Sequence, residues 1–171
     1  MINDLSNKKL KRILFICLGN ICRSPMAEAV MCKLVKERGL SADYEIDSAG
    51  LISYHEGEGA DPRMKSHAYR HGYHLTHISR PIRQIDFDLF DLIVSMDDSN
   101  WDRLHRLAPT MEAEQKIVRM TDYCHTHVID HVPDPYYGGA QGFENVIEIL
   151  EDACEGLLEA LEAESEGSHQ L

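Results

Sequence analysis

The stretch ILFICLGNICRSPMAEAV, residues 13–30, decides how this chain is read. Its first five residues, Ile13 to Cys17, are apolar, β-branched or aromatic with no polar interruption, the mark of a strand buried on both faces. A turn-rich segment follows. Ser24-Pro25 then reads as a helix N-cap with proline at the first helical position. Ala27, Val30, Leu34 and Val35 fall on one face of that helix, and Gly39 sits where a C-capping glycine belongs. A buried strand running through a short loop into a helix places that loop beyond the carboxyl end of the strand, where open α/β sheets bind their ligands.

Working outward, Tyr44–Ser48 reads as a second strand closed by Ala49-Gly50, and residues 51–60 as a loop. Asp61-Pro62 opens a second helix that runs to His71-Gly72. Leu89–Met96 holds a third strand around its LIVS core. Asp97-Asp98-Ser99 caps a helix reaching about Leu107, and Ile117–Met120 is a short fourth strand. A long loop spans Thr121–Gly142. From Phe143 to Leu161 the apolar residues keep i, i+3, i+4 spacing, so the last element is a long amphipathic helix with glutamates on its other face. Strands alternating with helices predict an α/β fold with a parallel sheet and helices on both sides. The expected division is a polar arm over 1–10, one domain over 11–162 and an acidic, flexible tail over 163–171.

With 171 residues the chain is long enough for one domain with a real core, and 43% hydrophobic with 27% charged residues is ordinary for a globular protein. No run approaches the roughly 18 apolar residues of a spanning helix. The polar N-terminus leads into only six apolar residues, Ile13 to Leu18, so neither a membrane anchor nor a signal peptide is expected. The net charge of −12 is uneven: residues 1–119 are balanced, whereas residues 120–171 hold 12 acidic residues and no Lys or Arg. A nucleic-acid binder shows the reverse, a basic patch. Five cysteines is an odd number, and without an export signal the expectation is reduced thiols in the cytoplasm.

The loop after Cys17 carries the chemistry. Gly19 and Asn20 tolerate left-handed backbone angles, so successive N–H groups of Leu18, Gly19, Asn20, Ile21 and Cys22 can curl into an anion nest. The following helix adds the positive end of its dipole, and Arg23 adds a planar fork suited to two phosphate oxygens. The thiol at the floor of such a cradle is favoured as thiolate by the helix terminus and nearby cation. Ser24 lies close enough to donate its hydroxyl to that sulfur. A thiolate beneath a bound phosphate ester is placed for in-line attack on phosphorus. The leaving oxygen then needs an acid, and the late segment Asp134-Pro135-Tyr136-Tyr137-Gly138-Gly139 offers Asp134 between a rigid proline and permissive glycines. Tyr136 and Tyr137 are placed to flank an aromatic substrate.

CLGNICRSPMAEAV, DSAG, the strand-ending Met96-Asp97 and DPYYGG, in this order over about residues 11–160, closely resemble the low-molecular-weight protein tyrosine phosphatases. A bare Cys-x5-Arg would be weak; the combination is specific. The resemblance implies a flavodoxin-like four-stranded parallel sheet in order 2-1-3-4 and a two-step hydrolysis of phosphotyrosine through a cysteinyl-phosphate. It implies Cys17 as nucleophile, Arg23 as transition-state clamp, Ser24 as thiolate support, and Asp134 as acid and then base. Asn20 and Ser48 match residues that hold the loop's shape, and His77 a residue behind it. Tyr54 matches one aromatic wall of the substrate cleft, and Tyr136 and Tyr137 the other. Cys22 matches a redox partner of Cys17. Bacterial relatives that act on phosphoarginine carry threonine at the position of Ile21, whose apolar surface here favours a tyrosine ring. The partner implied is a phosphotyrosine-containing protein, such as a tyrosine kinase or its substrate, with no metal or cofactor.

Other readings are open at this stage. Thiol-dependent arsenate reduction uses a similar loop but relays a disulfide through further cysteines, and Cys32, Cys124 and Cys154 read as core or helix-face residues. A phosphate-binding module needs neither nucleophile nor acid. Of the ten histidines, His67 and His71 are i, i+4, His74 and His77 follow, and His125, His127 and His131 cluster; none forms an arrangement typical of catalytic zinc.

Overall fold

The structure, a computed structural model, describes residues 9–168. Four strands form one parallel sheet: β1 (Lys11–Cys17), β2 (Tyr44–Gly50), β3 (Leu92–Ser95) and β4 (Ile117–Arg119), in the order β2-β1-β3-β4. Six helices surround it: α1 (Arg23–Glu37), α2 (Pro62–Arg70), α3 (Asp86–Leu89), α4 (Asp98–Leu107), α5 (Met111–Gln115) and α6 (Ala140–Ser168).

The pleat of β1 divides the core. Ile13, Phe15 and Cys17 face a layer built from α1, α2 and α6, with Met26, Val30, Met64, Val146, Leu150 and Leu157 among its buried side chains. Leu14 and Ile16 face the opposite layer, with Phe87, Phe90, Leu104 and Ala113 from α3, α4 and α5. The unbroken apolar run Ile13–Cys17 is what this double burial demands. The approach of α6 to the turn at Met120–Tyr123 depends on Gly156: a Cβ there would lie 1.8 Å from the Tyr123 carbonyl oxygen.

The chain leaves β1 to β2 on one side and to β3 on the other, so the order reverses at β1. Ligands of doubly wound sheets bind at this reversal, and residues 18–22 occupy it.

Several local expectations are corrected. Ser24 is not the N-cap of α1: the helix begins at Arg23, Cys22 holds the cap position without a capping side-chain bond, and the Ser24 hydroxyl is committed elsewhere. Leu89 and Phe90 belong to α3 and its end rather than to the third strand. Helix α5, capped by Thr110, stands where no element was expected, because its five residues are too few to show periodicity. Helix α6 starts at Ala140 and continues through Ser168, so residues 163–168 are helical rather than a loose tail. The expected N-terminal arm lies outside the described residues except for Lys9 and Leu10. Asp61 and Asp97 cap α2 and α4 as their sequence positions suggest.

Candidate active site

Cys17 ends β1 and is 3% exposed. Its Sγ lies 3.0 Å from the Ser24 hydroxyl, and the Ser24 backbone N–H points at it from 3.4 Å. That hydroxyl oxygen already accepts from Asn20 Nδ2 at 2.8 Å, which leaves its proton for the sulfur. Asn20 is the one non-glycine with positive φ among the described residues, at 58°. Its amide nitrogen also donates to Ser48 Oγ at 3.0 Å, and its oxygen accepts from His77 Nε2 at 2.8 Å and the Arg80 N–H at 3.1 Å. All its side-chain bonds hold one loop conformation that asparagine tolerates and most residues resist. Behind it, Ser48 Oγ donates to Glu28 Oε1 at 2.7 Å. His77 Nδ1 lies 3.1 Å from Glu28 and 3.4 Å from Asp47. Glu28, Asp47 and His77 are the one set among the described residues whose ligand atoms converge closely enough for a cation, and there the ring nitrogen already lies between the carboxylates.

The backbone N–H groups of Leu18 to Cys22 find no acceptor in the protein among the described residues. Main-chain donors in a folded loop are seldom left unpaired, so five consecutive unspent donors form a site for an oxyanion.

Arg23 is 3% exposed and is anchored at one nitrogen: Nη1 donates to Asp97 at 2.6 Å and to the Val132 carbonyl at 3.0 Å. Burial works against its charge, but the Cys17 sulfur, Asp97 and Asp134 more than offset it, so its pKa is raised. On the other side of the fork Nη2 makes only a long ion pair, 3.7 Å to Asp134 Oδ2, which an incoming phosphate can replace.

Asp134 caps a short turn at Pro135–Tyr137 by accepting from the Tyr136 N–H at 3.0 Å. A cleft of about 330 Å³ joins these parts, lined by Cys17, Leu18, Ile21, Arg23, Asp134 and the aromatic rim. Tyr54, 81% exposed, and Tyr137, 91% exposed, stand at the rim with Tyr136. Cys22, also on the wall, has its thiol pKa pushed far up, by burial first and then by Asp61, Cys17 and Asp134.

The structure thus gathers every residue singled out for the site, with Ser48 beneath the loop. Sequence reasoning missed His55, which lines the cleft 4.9 Å from Tyr54 ring to ring and pairs with Glu58. It also missed Ile52 and Val132, since a backbone contact and an apolar wall carry no motif. Of the histidines weighed in the sequence, His67 and His71 share the Glu144 carboxylate at 2.7 and 2.6 Å, tying α2 to α6.

A family model described as low molecular weight phosphotyrosine protein phosphatase matches residues 12–167. The chain belongs to this family. It is 46% identical over 91% of its length, and 96% of the relative's, to a low molecular weight protein-tyrosine-phosphatase of Streptomyces coelicolor. A protein tyrosine phosphatase of Entamoeba histolytica superposes with a TM-score of 0.88 at 50% identity, covering 91% of this chain and 99% of that one. A Drosophila arginine phosphatase superposes with a TM-score of 0.82 at 36% identity, over 87% and 96%. No helix among the described residues is long and apolar enough to cross a membrane.

Proposed function

We propose that this phosphatase hydrolyses phosphotyrosine in proteins, with Cys17 as nucleophile, Arg23 as clamp and Asp134 as acid and base. The open row of N–H donors above a buried cysteine sulfur carries the reading. The loop and the Nη2 side of Arg23 bind the phosphate oxygens and hold phosphorus over Sγ. Sulfur attacks, the S–P bond forms and the P–O bond to tyrosine breaks, while Asp134 gives its proton to the departing oxygen. Water then attacks the cysteinyl-phosphate, Asp134 takes the water's proton, the S–P bond breaks and inorganic phosphate leaves. Ser24 stabilises the sulfur as leaving group through its 3.0 Å contact. Tyr54, Tyr136 and Tyr137 line the entry and suit a flat phenolic ring. The partner is a phosphotyrosine-bearing protein. Because the nucleophile must be a thiol, a reducing, cytoplasmic setting belongs to the proposal.

Cys17→Ser is expected to abolish turnover while inorganic phosphate still binds. Arg23→Ala is expected to lose both, having lost a charge-assisted bidentate contact. Asp134→Asn should slow phosphotyrosine cleavage by roughly 10²–10⁴-fold, and much less for a nitrophenyl ester whose oxygen leaves unaided. Steady-state kinetics with both esters decides; wild-type turnover by Cys17→Ser overturns the mechanism.

A further inference from the structure

The loop that carries Cys17 and the loop that carries Asp134 are joined by a third segment at the start of α2. The Asp61 N–H donates to the Ile21 carbonyl at 2.9 Å, so this residue is seated on the back of the nucleophile loop. Its carboxylate caps α2, accepting from the N–H groups of Arg63 at 2.8 Å and Met64 at 3.3 Å. The same carboxylate takes the fork of Arg63, Nε at 3.2 Å and Nη2 at 3.0 Å. Against the cost of burial, the side-chain and backbone bonds from Arg63 hold the Asp61 pKa below the usual carboxylate range.

Arg63 then reaches the loop that carries Asp134. Its Nη2 donates to the Tyr136 carbonyl at 3.0 Å, and its guanidinium lies 5.3 Å from the Tyr136 ring centre and 5.0 Å from that of Phe143. Tyr136 passes the contact on, because its N–H is the group that holds Asp134 Oδ1. An unbroken polar path therefore runs from Ile21 through Asp61, Arg63 and Tyr136 to the carboxylate of Asp134.

We propose that Asp61 and Arg63 are positioning residues: a strut that sets the distance from the Asp134 carboxylate to the leaving oxygen above Cys17. The proposal rests on the reading of Asp134 as acid. Neither residue touches the reacting atoms. The fork geometry is essential, since guanidinium binds a carboxylate at two points and still has an N–H for Tyr136, whereas an ammonium is a point charge. Proton transfer is sensitive to such placement, as a misplacement of about 1 Å can cost up to about 10²-fold.

The test measures kcat/KM of the full chain on phenyl phosphate, a poor leaving group, and on nitrophenyl phosphate, a good one. Wild type is compared with Arg63→Met, Arg63→Lys, Asp61→Asn and Asp134→Asn. Inhibition by inorganic phosphate and the melting temperature are recorded for each. Arg63→Met is expected to lose about tenfold on phenyl phosphate and little on the nitrophenyl ester, with phosphate inhibition unchanged. Arg63→Lys should fall between, and Asp61→Asn, which keeps a capping side chain, should resemble Arg63→Met. Equal losses on both esters, or no loss, overturn the strut. If Asp134→Asn shows no leaving-group dependence, the acid assignment itself fails. If Asp134→Asn shows it and the Arg63 variants do not, only the strut fails.

Discussion

The two loops that meet over the cleft are built in opposite ways. The nucleophile loop is sunk into the fold: Cys17 and Arg23 are each 3% exposed, and Ser24 and Ser48 are fully buried. Its shape is fixed by side chains from β2, α1 and the segment before α3 and by the Arg80 backbone N–H, all converging on Asn20. The acid loop lies on the surface. It ends in a tyrosine that is 91% exposed, and it is held by a few bonds, among them those from Arg23 to the Val132 carbonyl and from Arg63 to the Tyr136 carbonyl. The phosphate end of the substrate therefore meets a site organised before binding, and its aromatic end meets a rim that side chains can adjust. Changes beneath the first loop should cost catalysis and stability together, while changes on the second should cost little stability.

The sharpest contrast sets Asn20→Ala against Tyr137→Ala. Alanine at position 20 loses four side-chain hydrogen bonds and must hold a φ of 58°. The backbone alone costs roughly 1–2 kcal/mol, and the buried groups of Ser24, Ser48 and His77 lose a partner. A fall of about 10²-fold in kcat/KM is expected from the displaced loop, with a lower melting temperature. Tyr137→Ala should leave the melting temperature unchanged and cost only a few-fold in kcat/KM, as one aromatic contact of about 0.5–1.5 kcal/mol is removed. Comparable losses from the two variants would erase the proposed difference between the loops.

A smaller effect concerns Cys22, buried in the first loop yet facing the cleft. Burial and nearby charges raise its pKa far above neutrality, so at neutral pH it is a thiol and Cys17 is the oxidant's target. Peroxide oxidises the Cys17 sulfur to sulfenic acid and is itself reduced. Cys22 then attacks that sulfur, its S–H proton passes to the departing hydroxide, the S–S bond forms and water leaves. Peroxide should inactivate both the wild type and Cys22→Ser. After added thiol, the wild type should recover nearly fully and Cys22→Ser only in part, its Cys17 having gone on to the irreversible acids. Equal recovery would mark Cys22 as a packing residue.

The same division explains what the sequence disclosed. The strands, the long helices and the nucleophile loop each follow from a local signal: an unbroken apolar run, a 3.6-residue period, or a strand-to-helix turn rich in permissive residues. Cys17, Arg23 and Asp134 were legible because their chemistry sits inside contiguous motifs. Asp61 and Arg63 were not legible as site residues, because each bonds a residue distant in the chain, Asp61 to Ile21 and Arg63 to Tyr136 across 73 positions; His55 lines the cleft from a loop that carries no motif. Ser24 shows a local signal misread: serine before proline suggests a cap, but the buried sulfur and Asn20 draw its hydroxyl inward. Helix α5 and the 3-10 turns were missed because elements this short are set by tertiary packing.

The smallest predicted effect lies where the two loops share the substrate. Ile21 is 8% exposed and lines the cleft between the phosphate cradle and the aromatic rim, while its carbonyl is held by Asp61. Its side chain presents only branched hydrocarbon to the atoms next to phosphorus. A phenolic oxygen on an aromatic ring leaves no unpaired donor against that surface, whereas the guanidinium of phosphoarginine would bury N–H groups there without a partner, at a cost of about 1–3 kcal/mol. Phosphotyrosine should therefore be preferred over phosphoarginine, although a Drosophila arginine phosphatase shares the fold. Phosphoserine should be the poorest, since its short side chain does not carry phosphorus past the rim to the buried sulfur. Ile21→Thr keeps the branched shape and supplies one hydroxyl beside the cradle. It should raise phosphoarginine activity relative to phosphotyrosine by up to about tenfold, the scale of one group in a pocket, and leave the Asn20 network and melting temperature intact. The measurement is the ratio of kcat/KM on peptides matched in sequence and differing only in the phosphorylated residue. An unchanged ratio in Ile21→Thr, or a wild type that prefers phosphoarginine, would show that selectivity is set by the exposed rim alone.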